Sequence, residues 1–115
     1  MDRSDAVRLR DMLDAAREAS QFIAGRERAD LDRDRMLTLA LVKEIEIIGE
    51  AASKVSDATR KRCAGIPWAG MTAMRNRLIH GYSTVDLDIV WQTATAELPP
   101  LVAALEKCLA TDRTS

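Results

Sequence analysis

The sequence predicts an all-α fold: an up-and-down four-helix bundle with a kinked C-terminal helix, built as one domain over residues 1–115. Three observations carry this. Leu37, Leu41, Ile45, Ile48, Ala52 and Val55 form one apolar stripe at three- and four-residue steps, the spacing of a single helix face. Aromatic residues make up only 3% of the chain, with five glycines and three prolines. The core must therefore come from Leu, Ile, Val, Ala and Met, a mix that favours helix over sheet. Finally, the connections between periodic segments are short, which makes successive helices antiparallel neighbours.

The first helix is expected to start at Ser4 as N-cap, with Asp5 favourable to the dipole. Leu9, Met12, Leu13, Ala16, Ala19 and Ile23 give its buried face, and Gly25 its stop. Asp30 or Asp32 can cap the second helix, whose stripe is given above. Thr38, Lys43, Glu46, Glu50 and Ser53 fall largely on its other faces. Gly49, Ala51 and Ala52 make a small-residue patch that would let another helix approach closely. Residues 57–63 read as a short turn of helix, with Asp57 as a possible cap. Pro67 suits the opening turn of the third helix, from about Trp68 to about His80, with Met71, Met74 and Leu78 buried. Gly81 ends it, and Asp86 caps the last helical region. There Leu87, Val90, Trp91, Ala94 and Leu98 form the stripe, and Pro99-Pro100 should kink or break the helix before Leu101 resumes it.

A chain of 115 residues with 47% apolar and 30% charged content is large enough to bury a core without staples. Cys63 and Cys108 lack metal-ligand spacing and there is one histidine, so no metal and no cofactor are expected. Two unpaired, buried thiols in a reducing cytosol is the plainer expectation. The N-terminus is charged, and no apolar run is long enough to span a membrane. The net charge of −1 conceals a pattern: residues 54–82 carry +5, and the segments on either side carry −3 each. The positive charge thus gathers around residues 75–82, which suits a polyanion there.

That stretch, Arg75-Asn76-Arg77-Leu78-Ile79-His80-Gly81-Tyr82, holds the chain's only histidine and only tyrosine. It suits metal-free cleavage of RNA, whose 2′-hydroxyl is an internal nucleophile. Histidine can act as base or acid near neutral pH, and arginine can neutralise the phosphorane. Asn76 can orient the imidazole or bond a phosphate oxygen. Five residues apart on a helix, Arg75 and His80 point about 140° apart, and one histidine cannot be acid and base simultaneously. A two-fold dimer would supply a second copy of each, although Lys, Tyr or water could also serve as the acid. The alternative is a packed histidine at a helix end, with Tyr82 as a packing residue. Glu50 reads either as the i,i+4 partner of Lys54 or as a partner for a motif arginine.

The same eight residues resemble the Arg-x4-His-x-Tyr signature of HepT-like proteins, in the HEPN superfamily of ribonucleases. Three further blocks extend the likeness: Ile47 to Ala52, Ile66-Pro67-Trp68, and Asp86 to Trp91. The resemblance implies a HEPN-like homodimer, cytoplasmic, acting as the endoribonuclease toxin of a type VII toxin–antitoxin pair. Arg75 and His80 would be the catalytic pair, with Asn76 as helper and RNA contacts from Arg77, Lys61 and Arg62. The partner would be a minimal nucleotidyltransferase antitoxin, which adenylylates Tyr82. The competing reading is a non-catalytic helical module that partners a nucleotidyltransferase or binds nucleotide.

Overall fold

The computed structural model describes residues 1–79 and 85–114, and every element in it is helical. Helix α1 (Arg3–Ile23) is capped by Asp2 instead of Ser4: the Asp2 carboxylate accepts from the Ser4 N–H at 2.9 Å. Asp5 points inward from the first turn and is 3% exposed. Its carboxylate accepts from the Ser56 N–H at 3.1 Å, the Ser56 hydroxyl at 2.5 Å and the Thr59 hydroxyl at 2.6 Å. These bonds, that from the Ser56 hydroxyl foremost, hold its pKa below the usual carboxylate range. They also tie the start of α1 to the start of α4 (Asp57–Arg62), whose cap is Ser56, not Asp57. Gly25 adopts φ of 74° just past α1, the left-handed conformation of a helix-ending glycine.

A single turn, α2 (Asp30–Arg33), leads into α3 (Arg35–Ser53). The cap of α3 is Asp34, which accepts from the Leu37 N–H at 3.1 Å. Asp30 lies too early for that role and accepts from the Glu27 amide instead. The expected stripe is buried, with Leu41, Ile45 and Ile48 fully enclosed. Thr38, expected on an outer face, is also buried and donates to the Leu31 carbonyl at 2.9 Å. Arg60 closes the other end of α3, donating to the Ala52 and Val55 carbonyls.

Helix α5 (Trp68–Ile79) packs on α3, and α3 packs on α1. The chain returns through α6 (Leu87–Gln92), capped by Asp86 as expected, and Asp88 fastens it by pairing with Arg28 at 2.7 Å. Next comes a π-turn, Thr93–Glu97, and then α7 (Leu98–Thr114), which lies against α1. Pro99-Pro100 therefore do not break the helix. The Leu98 N–H bonds to the Thr93 carbonyl, five residues back, so the wider turn leads into a helix whose opening turn holds both prolines. There a missing N–H costs least. The core they enclose includes Leu9, Met12, Val90, Leu98 and Leu105, all essentially solvent-free. Each such side chain contributes roughly 1.5–3 kcal/mol by burial. No helix among the described residues is long and apolar enough to cross a membrane.

The structure corrects the expectation of two free thiols: Cys63, just past α4, and Cys108, on α7, form a disulfide. The fold sets their Cα atoms 5.7 Å apart across a sequence separation of 45 residues, within bonding range. Closing such a loop stabilises by about 4 kcal/mol in the chain-entropy account.

One acid is buried in the core-facing side of α3. Glu44 is 5% exposed, and its Oε2 has no hydrogen-bond partner. Burial first, then the neighbouring Glu18 carboxyl, pushes its pKa up to about 7. The folded protein therefore holds a proton that the unfolded chain releases at lower pH. Stability from this group is complete below about pH 4.5 and is lost as pH rises through about 7. Glu44→Gln should remove that dependence. Between pH 5 and pH 8, wild type should lose about 2–3 kcal/mol relative to the variant. Urea unfolding at both pH values checks this, and parallel losses in the two proteins would contradict it.

Candidate functional site

The motif residues lie on α5, and the way that helix is seated decides where they point. Its start is fixed by Trp68, whose indole N–H donates to the Cys63 carbonyl at 3.1 Å. Its ring sits 5.5 Å from the Arg60 guanidinium, a cation–π spacing. Met71, Met74 and Leu78 then anchor one side in the core.

Arg75 leaves α5 over the backbone of α3. It crosses at Gly49, where a Cβ would lie 2.6 Å from Arg75 Cβ, 2.8 Å from Cδ and 3.0 Å from Cγ. No side chain fits there. The small-residue patch expected from the sequence thus receives an arginine stem, not merely a neighbouring backbone. Arg75 Nη2 then meets Glu50 Oε2 at 2.8 Å, while Lys54 Nζ meets Glu50 Oε1 at 3.1 Å. Both readings of Glu50 hold at once: one carboxylate serves the surface lysine and the motif arginine. Lys54 first, then Arg75, holds the Glu50 pKa below its ordinary value. The guanidinium stays partly open, with the Arg75 side chain 30% exposed, so it can still receive an anion.

Asn76 and Arg77 are exposed on α5. Two residues from Arg75, Arg77 points about 200° around the helix and lines a different recess, between α5 and the π-turn. Lys61 is exposed on α4, and Arg62 lines a third recess with Cys63, Cys108 and Lys107. The expected RNA-binding cations are thus spread over separate surfaces of this one chain. Of the basic residues that gave residues 54–82 their charge, Lys54 and Arg75 pair with Glu50, and Arg60 caps α3. His80 and Tyr82 lie outside the described residues. The sequence reading missed the seating of Arg75. Gly49 followed by Glu50, four residues before Lys54, was the signal available.

Comparison with known proteins gives a consistent result. The family described as Ribonuclease HepT-like matches residues 12–108. "Probable ribonuclease HepT" of Thermococcus cleftensis is 32% identical, over 93% of this chain and 97% of its own length. Two proteins named "Putative RNase" are also similar. One, from Caldanaerobacter subterraneus subsp. tengcongensis, is 36% identical over 70% of this chain and 71% of its own. The other, from Methanocaldococcus jannaschii, is 32% identical over 88% and 84%. No solved structure gives a significant match.

The contact at Gly49 can be tested without reference to activity. Gly49→Ala improves helix propensity by about 1 kcal/mol, yet the new methyl collides with the base of the Arg75 side chain. The variant should be less stable than wild type by about 1–3 kcal/mol net, read as a lower urea midpoint. A variant as stable as wild type would show that the spacing of α3 and α5 does not depend on that glycine.

Proposed function

Since the chain belongs to the HepT-like ribonuclease family, we propose that it is a metal-independent endoribonuclease in which Arg75 and His80 form the catalytic pair. The observation that carries this reading is the seating of Arg75. Its stem lies over Gly49 and its guanidinium is oriented by Glu50, on the helix that leads to His80. A planar, permanently charged group held this way is suited to a phosphorane.

The step is a transesterification. The RNA 2′-oxygen bonds to phosphorus as His80 removes its proton, and the bond from phosphorus to the 5′-oxygen breaks. The products are a 2′,3′-cyclic phosphate and a 5′-hydroxyl. The leaving oxygen needs a proton while His80 is already occupied. A second His80, from another copy of the chain, can supply it, so the proposed active unit is a homodimer with both motif helices at one cleft. Asn76 orients the imidazole or a phosphate oxygen. Arg77, Lys61 and Arg62 would draw in the RNA backbone, their separate surfaces being joined only along an extended strand or across two copies.

The proposed setting is the cytoplasm, with the protein acting as the toxin of a type VII toxin–antitoxin pair. Its partner would be a minimal nucleotidyltransferase that adenylylates Tyr82. An AMP group there adds bulk and a negative phosphodiester near a cationic site, which repels an RNA backbone. In a reducing compartment the Cys63–Cys108 bridge is open to reduction, so the helical core must hold α5 in place without it.

Wild type should cleave RNA in chelator, and His80→Ala should lose cleavage by at least about a hundred-fold with its helical content intact. Cleavage retained in that variant would end the assignment. For the modification, mass spectrometry after co-expression with the nucleotidyltransferase should show AMP-sized additions in wild type and none in Tyr82→Phe. Additions persisting in the phenylalanine variant would place the modification elsewhere.

A further inference from the structure

The recess beside Arg77 is a mostly apolar groove of about 650 Å³, within the size range of small-ligand sites. It lies along the seam where α5 meets the π-turn and the start of α7. Small residues make it: Gly70, Ala73 and Ala96 leave the seam unfilled. The rest of its lining is unusual for a surface cleft. Pro67 and Pro100 contribute apolar pyrrolidine rings and Arg77 a long cationic side chain, while Met71 and Met74, each 3% exposed, close the floor with polarizable side chains. Thioethers and guanidinium groups make favourable contacts with aromatic rings, yet the groove contains no aromatic side chain of this protein. Arg77 is exposed and makes no ion pair among the described residues. Glu97, exposed, lines the groove on its π-turn side beside Ala96, whose carbonyl cannot receive its α-helical donor because Pro100 has no N–H.

We propose that this groove is a nucleobase subsite, which takes one unstacked base of single-stranded RNA, specifically a base carrying an exocyclic amine. The proposal rests on the ribonuclease reading and deepens it. A flat ring lies against Pro67 and Pro100, over the floor that Met71 and Met74 close. Arg77 stacks on it or holds the adjoining phosphate, as guanidinium groups do with splayed-out bases. Glu97 accepts from the amine of adenine, cytosine or guanine. Uracil, with two carbonyl oxygens and one N–H, fits that acceptor-lined side poorly. The groove lies on the flank of α5 opposite Arg75, so a strand crossing the motif helix can reach both.

The test reads the groove directly. In protein labelled at the methionine methyls, AMP and CMP should shift the Met71 and Met74 resonances. The other three methionines act as internal controls, and UMP should bind more weakly by roughly ten-fold. Gly70→Leu should abolish the shifts by filling the groove. It should remain folded, because a Cβ there meets only Pro67 Cβ at 3.8 Å and leucine is the better helix former. Glu97→Gln should bring CMP and UMP affinities together. Four results overturn the proposal: no shift with any nucleotide, UMP binding as well as CMP, shifts that survive Gly70→Leu, or shifts that follow protein concentration instead of nucleotide. The last would mean that a second copy covers the groove. Methyl shifts in a protein that does not cleave RNA would sink the ribonuclease reading and leave the subsite standing. Cleavage without them would do the reverse.

Discussion

Helices α3 and α5 touch where Gly49 has no side chain, and the stem of Arg75 occupies the space a Cβ would need. Much of the molecule depends on that contact. It sets how closely the motif helix lies against the core. It directs the guanidinium to Glu50, the next residue along α3, so that spacing and orientation come from neighbouring positions on one helix. It also explains why a helix former as poor as glycine sits mid-helix. The roughly 1 kcal/mol cost in propensity is offset by the packing of the arginine stem, whose aliphatic part behaves as an apolar side chain.

Electrostatics at this end of the bundle are more local than the charge count suggests. A segment with net charge +5 looks like a uniform basic face. In the structure one carboxylate, Glu50, is shared by Lys54 and Arg75, while Arg60 is committed to the Ala52 and Val55 carbonyls at the end of α3 and to the Trp68 ring. What remains for a ligand is the open part of Arg75, together with Arg77 and Lys61 on other surfaces. A cation that already has a structural partner still contributes to the field, but it no longer moves freely to meet a substrate. That restriction favours preorganisation over broad attraction, in keeping with an overall net charge of −1.

What was legible in the sequence followed local rules. The α3 stripe, the Asp86 cap and the glycine after α1 depend on neighbours within a turn or two, and all appear as expected. The small patch at Gly49 was legible as a close approach, though the identity of what approached was not. Other features depended on partners far along the chain. Cys63 and Cys108 meet only because α7 returns past the end of α4. Asp5 looked like a first-turn acid because its partners, Ser56 and Thr59, lie more than fifty residues away. Nothing in the pattern marks Glu44, because periodicity marks apolar residues and this carboxyl is buried only through the packing of α1 beside it. At the candidate site the sequence offers a pair between Glu50 and a motif arginine as one of two readings, but not which arginine it is or that its stem lies over Gly49. The groove was invisible because it is made of absent side chains.

Helix α5 lies between two concessions by its neighbours, one of side chain and one of helix geometry. On one flank, α3 gives up a side chain at Gly49. On the other, the α6–α7 helix widens into a π-turn before Pro99 and Pro100. A helix uninterrupted through residues 87–114 would set α-helical donors against the Thr95 and Ala96 carbonyls, which the two prolines cannot supply. Rule-breaking of this kind in an otherwise locally consistent sequence tends to accumulate at functional sites. Here the two breaks serve different ends of one requirement. The first seats a cation against the core, and the second leaves a cleft beside the exposed arginine two residues on. A helix repeating every 3.6 residues turns by about 200° over two positions, so Arg75 and Arg77 necessarily face these opposite flanks. A single short helix can thus offer a fixed charge on one side and a recess on the other, provided one neighbour gives up a side chain and the other its regular winding where it passes.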